Sequence, residues 1–237
     1  SRGLGDVYKR QMQDKLTKQQ EQIRESGELI LDENKEKHKI FLLNIIGEIE
    51  GHECLASNLK TTKYEHVLPL LAMVEESEEV DGLLVLLNTV GGDIEAGLGI
   101  AELIASMSKP TVSLVLGGGH SIGVPLAVCG KETFIAPTAS MTVHPVRMSG
   151  TVIAAPETYR YFERIRERIV QFVAANSRVT AERFRELMLA SGDMANDVGT
   201  ILDGWAAVDC GLIGAVGGLG DALDALRSLI AGERKKA

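Results

Sequence analysis

Aromatic side chains, cysteine and positive charge are all scarce in this chain, and each shortage excludes something. Only 4% of the 237 residues are Phe, Trp or Tyr, while glycine occurs 25 times, so small and aliphatic side chains must do much of the packing. The three cysteines, Cys54, Cys129 and Cys210, are an odd number, widely scattered and without a Cys-x-x-Cys pair. That pattern suggests neither a disulfide framework nor a zinc site, and it fits reducing, cytoplasmic conditions. Lys and Arg total 25 against 33 Asp and Glu, a formal charge of −8, which argues against a nucleic-acid partner because a phosphate-binding face shows as clustered Lys and Arg. No signal-peptide pattern opens the chain, and there is no long repeat or low-complexity linker. One stretch, Pro110 to Gly130, runs without Asp, Glu, Lys or Arg for long enough to span a bilayer. Its interior, Gly117-Gly118-Gly119-His120-Ser121 and then Gly123 and Pro125, would leave backbone groups unpaired in lipid, so no membrane span is expected.

The text that remains alternates in kind. Residues 1–26 are mostly polar and Gln-rich and read as an exposed or disordered N-terminal arm, with residues 1–10 extraneous to the fold and residues 27–237 forming one domain. Lys39–Ile49 and Gly82–Leu87 are aliphatic, β-branched runs of the buried-strand kind, with a helix near 64–77 between them. After the second strand comes Asn88-Thr89-Val90-Gly91-Gly92-Asp93, then apolar residues at helical spacing from Ile94. Thr111–Leu116 repeats the pattern and leads through GGGHSIG into the apolar helix VPLAV. Short strands are expected at Thr133–Ile135 and Ser140–Val143. Beyond them, a long helix opens at Pro156, a helix capped by Thr180 runs to Leu189, and a last helix covers about 221–231. Continuous apolar strands alternating with helices predict an α/β protein with a mostly parallel sheet covered on both faces.

Two glycine turns carry the chemistry. Gly119-His120-Ser121-Ile122-Gly123 is a Gly-x-Ser-x-Gly between a strand and a helix. A serine on such a sharp turn projects its hydroxyl while the following N–H faces the developing oxyanion, and small neighbours are needed to avoid a clash. A dinucleotide fingerprint fails on spacing, because Ile122 stands where the third glycine is required. A nucleophile needs a base. Of His38, His52, His66, His120 and His144, the last sits at a strand end before Pro145, where a loop can present an imidazole. His120, adjacent to the serine, is expected to point away. Since no histidine follows His144, the α/β-hydrolase order of serine, acid, histidine is excluded, and the acid is left open among Asp193, Asp197, Asp203 and Asp209. Gly91-Gly92, at the end of a strand and the start of a helix, uncovers backbone N–H groups that favour negative charge.

The segments LLNTVGGDIEAGLGIAELIASMSKPTVSLVLGGGHSIGVPLA and MTVHPVR, with a looser match through AVDCGLIGAVGG, resemble the Clp protease proteolytic subunit family and the wider Clp/crotonase fold. NTVGGD, the triple glycine and His-Pro-Val-Arg are most similar to its translocation-enhancing (TepA) branch. The resemblance implies repeated β-β-α units with parallel sheets flanked by helices, and it spans about residues 39–218. It implies Ser121 as nucleophile, His144 as general base, and the N–H groups of Gly92 and Ile122 as oxyanion donors. The acid would be Asp197, with Asp193 as the other choice. It also implies a serine endopeptidase in a homo-oligomeric ring, taking peptide or unfolded polypeptide, without metal or organic cofactor, and with the helix over 156–175 as a handle between rings. The N-terminal text differs from that of subunits that dock an unfoldase ATPase, so no ATPase partner is assigned. Two other readings stand beside this one. A crotonase-like acyl-CoA enzyme would use the glycine turns without the Ser–His pair, and a catalytically silent scaffold or export-assisting binding protein would keep only the fold.

Overall fold

The structure is a computed structural model that describes residues 29–31, 38–147, 154–191 and 198–234, with Gln20 and Ile23 besides. The expected arm over residues 1–26 therefore lies almost wholly outside the described residues.

Nine strands form the described sheet. Its centre is β2 (Ile40–Glu50), β4 (Gly82–Gly92) and β5 (Thr111–Gly119), joined in parallel. The sheet continues in parallel to β6 (Glu132–Ile135) and β9 (Ala215–Val216), while β1 (Leu29–Leu31) lies antiparallel on β2. A short β3 (Thr61–Lys63) pairs with the far end of β2. Parallel neighbours need crossovers, and helices supply them here. α1 (Tyr64–Glu76) leads into β4, α2 (Ile94–Ser106) into β5, and α3 (Gly123–Val128) into β6.

The apolar runs are continuous because both faces are covered, and the strand period of two divides them between two cores. On one face Phe41, Leu43, Ile45, Leu83, Val85, Leu87 and Val115 pack with α1, α2 and α3. On the other, Ile40, Leu84, Val112 and Leu114 meet Ala222, Leu226 and Ile230, spaced four apart along α7 (Leu219–Arg234). Gly82 admits that helix closely, since a Cβ there would lie 3.0 Å from both Leu226 and Ile230.

Strand ends differ from expectation where it matters. β4 runs on through Gly91 and Gly92, because its pairing with β2 continues to Ile49 opposite Gly92 after a register shift at Gly47–Glu48. The second glycine pair is thus the last part of a strand and not a turn beyond it. β5 likewise carries all three glycines, 117–119. β7 (Ser140–Val143) touches β5 through a single pair, Gly118 with Ser140, and otherwise pairs antiparallel with β8 (Thr200–Asp203). The long helix is α4 (Ala155–Ala175), whose apolar stripe of Ile165, Ile169, Phe172 and Val173 is taken up by the subunit's own core. α5 (Ala181–Leu189) is capped as expected, Thr180 Oγ1 accepting the Arg183 N–H at 3.1 Å. The last helical turn of structure before α7 is α6 (Gly204–Asp209).

Candidate active site

The C-terminal ends of β4 and β5 meet at the serine. Leaving β5, the chain turns so sharply that Ser121 takes φ +57°, the one positive φ outside glycine among the described residues. Such a conformation is disfavoured for a side chain and persists where surrounding bonds impose it. Here the His120 N–H donates to Thr89 O at 3.2 Å, the Ser121 N–H to Thr142 O at 2.9 Å, and the Gly123 and Val124 N–H groups to His120 O and Ser121 O at 2.8 and 3.0 Å. α3 then starts at Gly123, where a Cβ would meet Thr89 Cγ2 at 2.7 Å.

Gly91 and Gly92 are glycine for reasons of space as well as conformation. Gly91 has φ +98°, and a Cβ on it would lie 2.7 Å from Ser121 Cβ and 3.2 Å from its Oγ. Gly92 has φ +145°, and a Cβ would strike the Ile49 backbone at 2.3 Å. Asp93 donates its N–H to Ile49 O at 2.9 Å, so in the parallel ladder the N–H of Gly92 turns the other way, toward the cleft that Gly92 lines. Pairing with β5 ends at Thr89–Gly119, which leaves that N–H without a ladder partner there. Asp93 also caps α2, its carboxylate accepting the Ala96 N–H at 2.8 Å.

Ser121, Ile122, Gly92 and His144 line one cleft of about 290 Å³. Val90, Ile94, Val146, Ile169, Phe184 and Met188 contribute apolar wall, Arg147 also lines it, and the exposed lining is about evenly polar and apolar. Ile122 is anchored in the core, pressing on Gly97 of α2, where a Cβ would sit 2.5 Å from its Cγ1. His144 follows β7 and is half-buried. Its Nδ1 lies 2.7 Å from Pro145 O, a geometry in which Nδ1–H donates to the carbonyl and Nε2 keeps its lone pair. No hydrogen bond joins Ser121 Oγ to His144 among the described residues.

The sequence-level candidates for the acid separate cleanly. Asp197 and Asp193 both lie outside the described residues. Asp203 is exposed and is committed to capping α6, accepting the Ala206 N–H at 2.8 Å. Asp209 is exposed in the last turn of that helix. The pairing of β7 with β8 sets Val143, the residue before His144, opposite Thr200.

Sequence reasoning overlooked two residues here. Thr89 Oγ1 donates to Gly47 O at 2.6 Å and accepts from the Gly91 N–H at 3.1 Å, fixing the glycine pair between two strands. Thr142 takes the serine's N–H through its carbonyl and bonds His120 Nδ1 through its hydroxyl at 2.9 Å. His120 does point away from Ser121, as expected, but into this contact. Burial and the charge of nearby His144 hold its pKa below the ordinary histidine value.

The sequence pattern of the Clp protease family matches residues 29–218. The chain belongs to the Clp protease family. Among curated Clp protease family members it is 50% identical to the translocation-enhancing protein TepA of Halalkalibacterium halodurans, over 89% of this chain and 82% of that protein. It is 26% identical to the ATP-dependent Clp protease proteolytic subunit 1 of Chlamydia muridarum, over 52% of this chain and 68% of that one. A solved mutant ClpP1 from Listeria monocytogenes superposes with a TM-score of 0.60 at 21% identity, covering 77% of this chain and 94% of the other, and shares the fold. Among the described residues no helix is long and apolar enough to cross a membrane.

Proposed function

We propose that the chain is a serine endopeptidase that cleaves peptide bonds with Ser121 as nucleophile and His144 as general base. The observation that carries this reading is the strained Ser121, aimed into the cleft it shares with His144, Gly92 and Ile122. In the reaction Ser121 Oγ would bond to the scissile carbonyl carbon while its proton passes to His144 Nε2. The carbonyl oxygen, taking up the electron pair, would face the N–H groups of Gly92 and Ile122, each such donor being worth roughly a hundred- to a thousandfold in rate. His144 would then give the proton to the leaving amine, and water would hydrolyse the acyl-serine.

For the acid we propose Asp197, two residues before Gly199, with Asp193 as the alternative. The β7–β8 register supports an acid shortly before Thr200, since it sets Thr200 opposite Val143, the residue before His144. To pair with an acid, the imidazole would exchange its Nδ1 bond to Pro145 O for one to the carboxylate. Replacing Asp197 with Asn should therefore slow serine labelling by orders of magnitude, toward the roughly 10⁴-fold of a lost triad acid, whereas Asp193→Asn should leave it near wild type. The reverse result would transfer the role to Asp193.

We further read the protein as a cytoplasmic homo-oligomeric ring acting on peptide or unfolded polypeptide. The free Cys54, Cys129 and Cys210 fit a reducing compartment. Tyr159 and Tyr161, exposed near the start of α4, are the side chains a neighbouring subunit would cover. A sedimentation mass of several subunits is expected.

A second reading is favoured by one observation: the missing Ser121–His144 hydrogen bond, with His144 Nδ1 taken by Pro145 O. A chain frozen in that state would be a silent scaffold, assisting export as the name of its TepA relative suggests. Labelling with a fluorophosphonate, followed by peptide mapping, separates the two. The peptidase reading expects one adduct on Ser121, absent in both Ser121→Ala and His144→Ala. An unlabelled oligomer would leave the scaffold.

A further inference from the structure

The strand that carries His144 is weakly tied to the strand that carries the serine turn. β7 meets β5 in a single pair, Gly118 with Ser140. Met141 and Val143 of β7 pack in the core with Val115, Ile122 and Val124, and the further hydrogen bonds between β7 and the nucleophile turn pass through Thr142. Its carbonyl accepts the Ser121 N–H at 2.9 Å, and its hydroxyl lies 2.9 Å from His120 Nδ1. His144 lies two residues after Thr142, just past the end of β7, so a bond that holds Thr142 also limits where the following chain can place the imidazole.

The place of the His120 ring is built for it. A Cβ on Gly118 would lie 2.6 Å from His120 Nε2 and 2.7 Å from Cδ2, so the imidazole rests where any other residue at 118 would put its side chain. Gly118 is itself pinned, its N–H donating to Asn88 Oδ1 at 2.9 Å. The backbone of His120 is held at both ends, by Thr89 O and by the Gly123 N–H. The middle glycine of the triple, the imidazole and the threonine form one contact, and none of its members reaches into the cleft that Ser121 lines.

We propose that His120 is a positioning residue, which by resting on Gly118 and bonding Thr142 locks β7 to the nucleophile turn and so holds Ser121 and His144 in one frame. This rests on the reading of Ser121 as nucleophile. No direct hydrogen bond joins Ser121 to His144 among the described residues, so the polar link between their segments is this indirect one, added to the core packing of Met141 and Val143. A neutral ring suits the role, since a cation beside His144 would oppose its taking a proton from Ser121, and burial together with the charge of His144 favours the neutral form.

The test measures the rate of fluorophosphonate labelling of Ser121 in the full-length oligomer. His120→Ala, the isosteric Thr142→Val, and Gly118→Ala, which pushes the ring off its seat, should each slow labelling by about tenfold, the scale of one lost hydrogen bond. The double variant His120→Ala with Thr142→Val should be no slower than either single one, since the two remove the same contact. His120→Asn, which keeps a polar group where Nδ1 stands, and Thr142→Ser should recover most of the rate. Independently of labelling, hydrogen–deuterium exchange at the His120 ring, read by mass spectrometry, should be slow in the wild type and faster in Thr142→Val. Wild-type rates in the three disrupting variants, losses that multiply in the double variant, or ring exchange indifferent to Thr142 would each overturn the proposal. An unlabelled wild type would instead overturn the nucleophile reading, and the positioning role with it.

Discussion

At φ +57°, Ser121 sits in a conformation costing about 1–3 kcal/mol for a residue with a side chain, and the backbone bonds of residues 120–124 hold it there. The strain leaves Gly91 no room to change. Its φ of +98° disfavours any side chain, and a Cβ would press on Ser121 Cβ at 2.7 Å. Gly91→Ala should therefore cost about 1–3 kcal/mol, lowering Tm by several degrees, and should abolish Ser121 labelling even in folded protein. A variant that melts lower but labels normally would show that the turn relaxes without moving the hydroxyl. Gly-x-Ser-x-Gly was legible because its signal is local: two glycines flanking a serine between a strand and a helix. The need for Gly91 was not, since a glycine in a sequence says that a Cβ is absent and not which atom occupies its place. Thr142 gave no signal at all. Its partners, His120 and Ser121, lie more than twenty residues away in sequence and reach it across the β5–β7 junction.

Between elements, α2 and α4 are joined by a bidentate ion pair, Arg168 donating to both oxygens of Glu95 at 2.6 and 2.9 Å. Glu95 lies in the first turn of α2, just after Gly92 and the capping Asp93, so the pair bridges the start of α2 to the long helix. The hydrogen bonds from Arg168, then its charge, hold the Glu95 carboxyl below its ordinary value near 4.5 despite an opposing contribution from burial. The folded value is the lower one, so the native state binds this proton less tightly than the unfolded chain. The stabilisation is complete above about pH 4.5 and is lost as pH falls through the folded value. Both side chains are about half exposed, so the contribution is small and screened by salt. Thermal unfolding of wild type against Glu95→Gln should show a modest wild-type advantage near neutral pH that shrinks below about pH 4.5 and in high salt. A constant difference across that range would assign the effect to packing. The longer helices were readable from spacing and from the Thr180 cap, but α6 was not, and the Glu95–Arg168 contact joins residues far apart in the chain. β1, β8 and β9 escaped for a related reason: they have two to four residues each, and they are strands because of what they pair with.

Across the whole molecule, the sheet separates a working face from a supporting one. Ile122, Val124, Val143, Ile169, Phe184 and Met188, which line the cleft, all belong to the core under α1–α5. The opposite core is smaller and depends on α7, through Ala222, Leu226 and Ile230 against Ile40, Leu84, Val112 and Leu114. This division was implicit in the sequence, where uninterrupted aliphatic runs require cover on both sides and strand alternation decides which residue faces which layer. Leu226 is fully buried on the supporting face, so Leu226→Ala leaves a cavity there and should cost about 2–5 kcal/mol in urea unfolding. The cleft is lined by the end of β4, the serine turn, β7 and the segment after it, and α2–α5, and by no described residue of α7. Ser121 labelling in the folded fraction should then proceed at the wild-type rate, a large loss of stability with no loss of reactivity. Slower labelling in fully folded protein would mean that the strands transmit the packing of α7 to the serine turn, and that the two cores act as one.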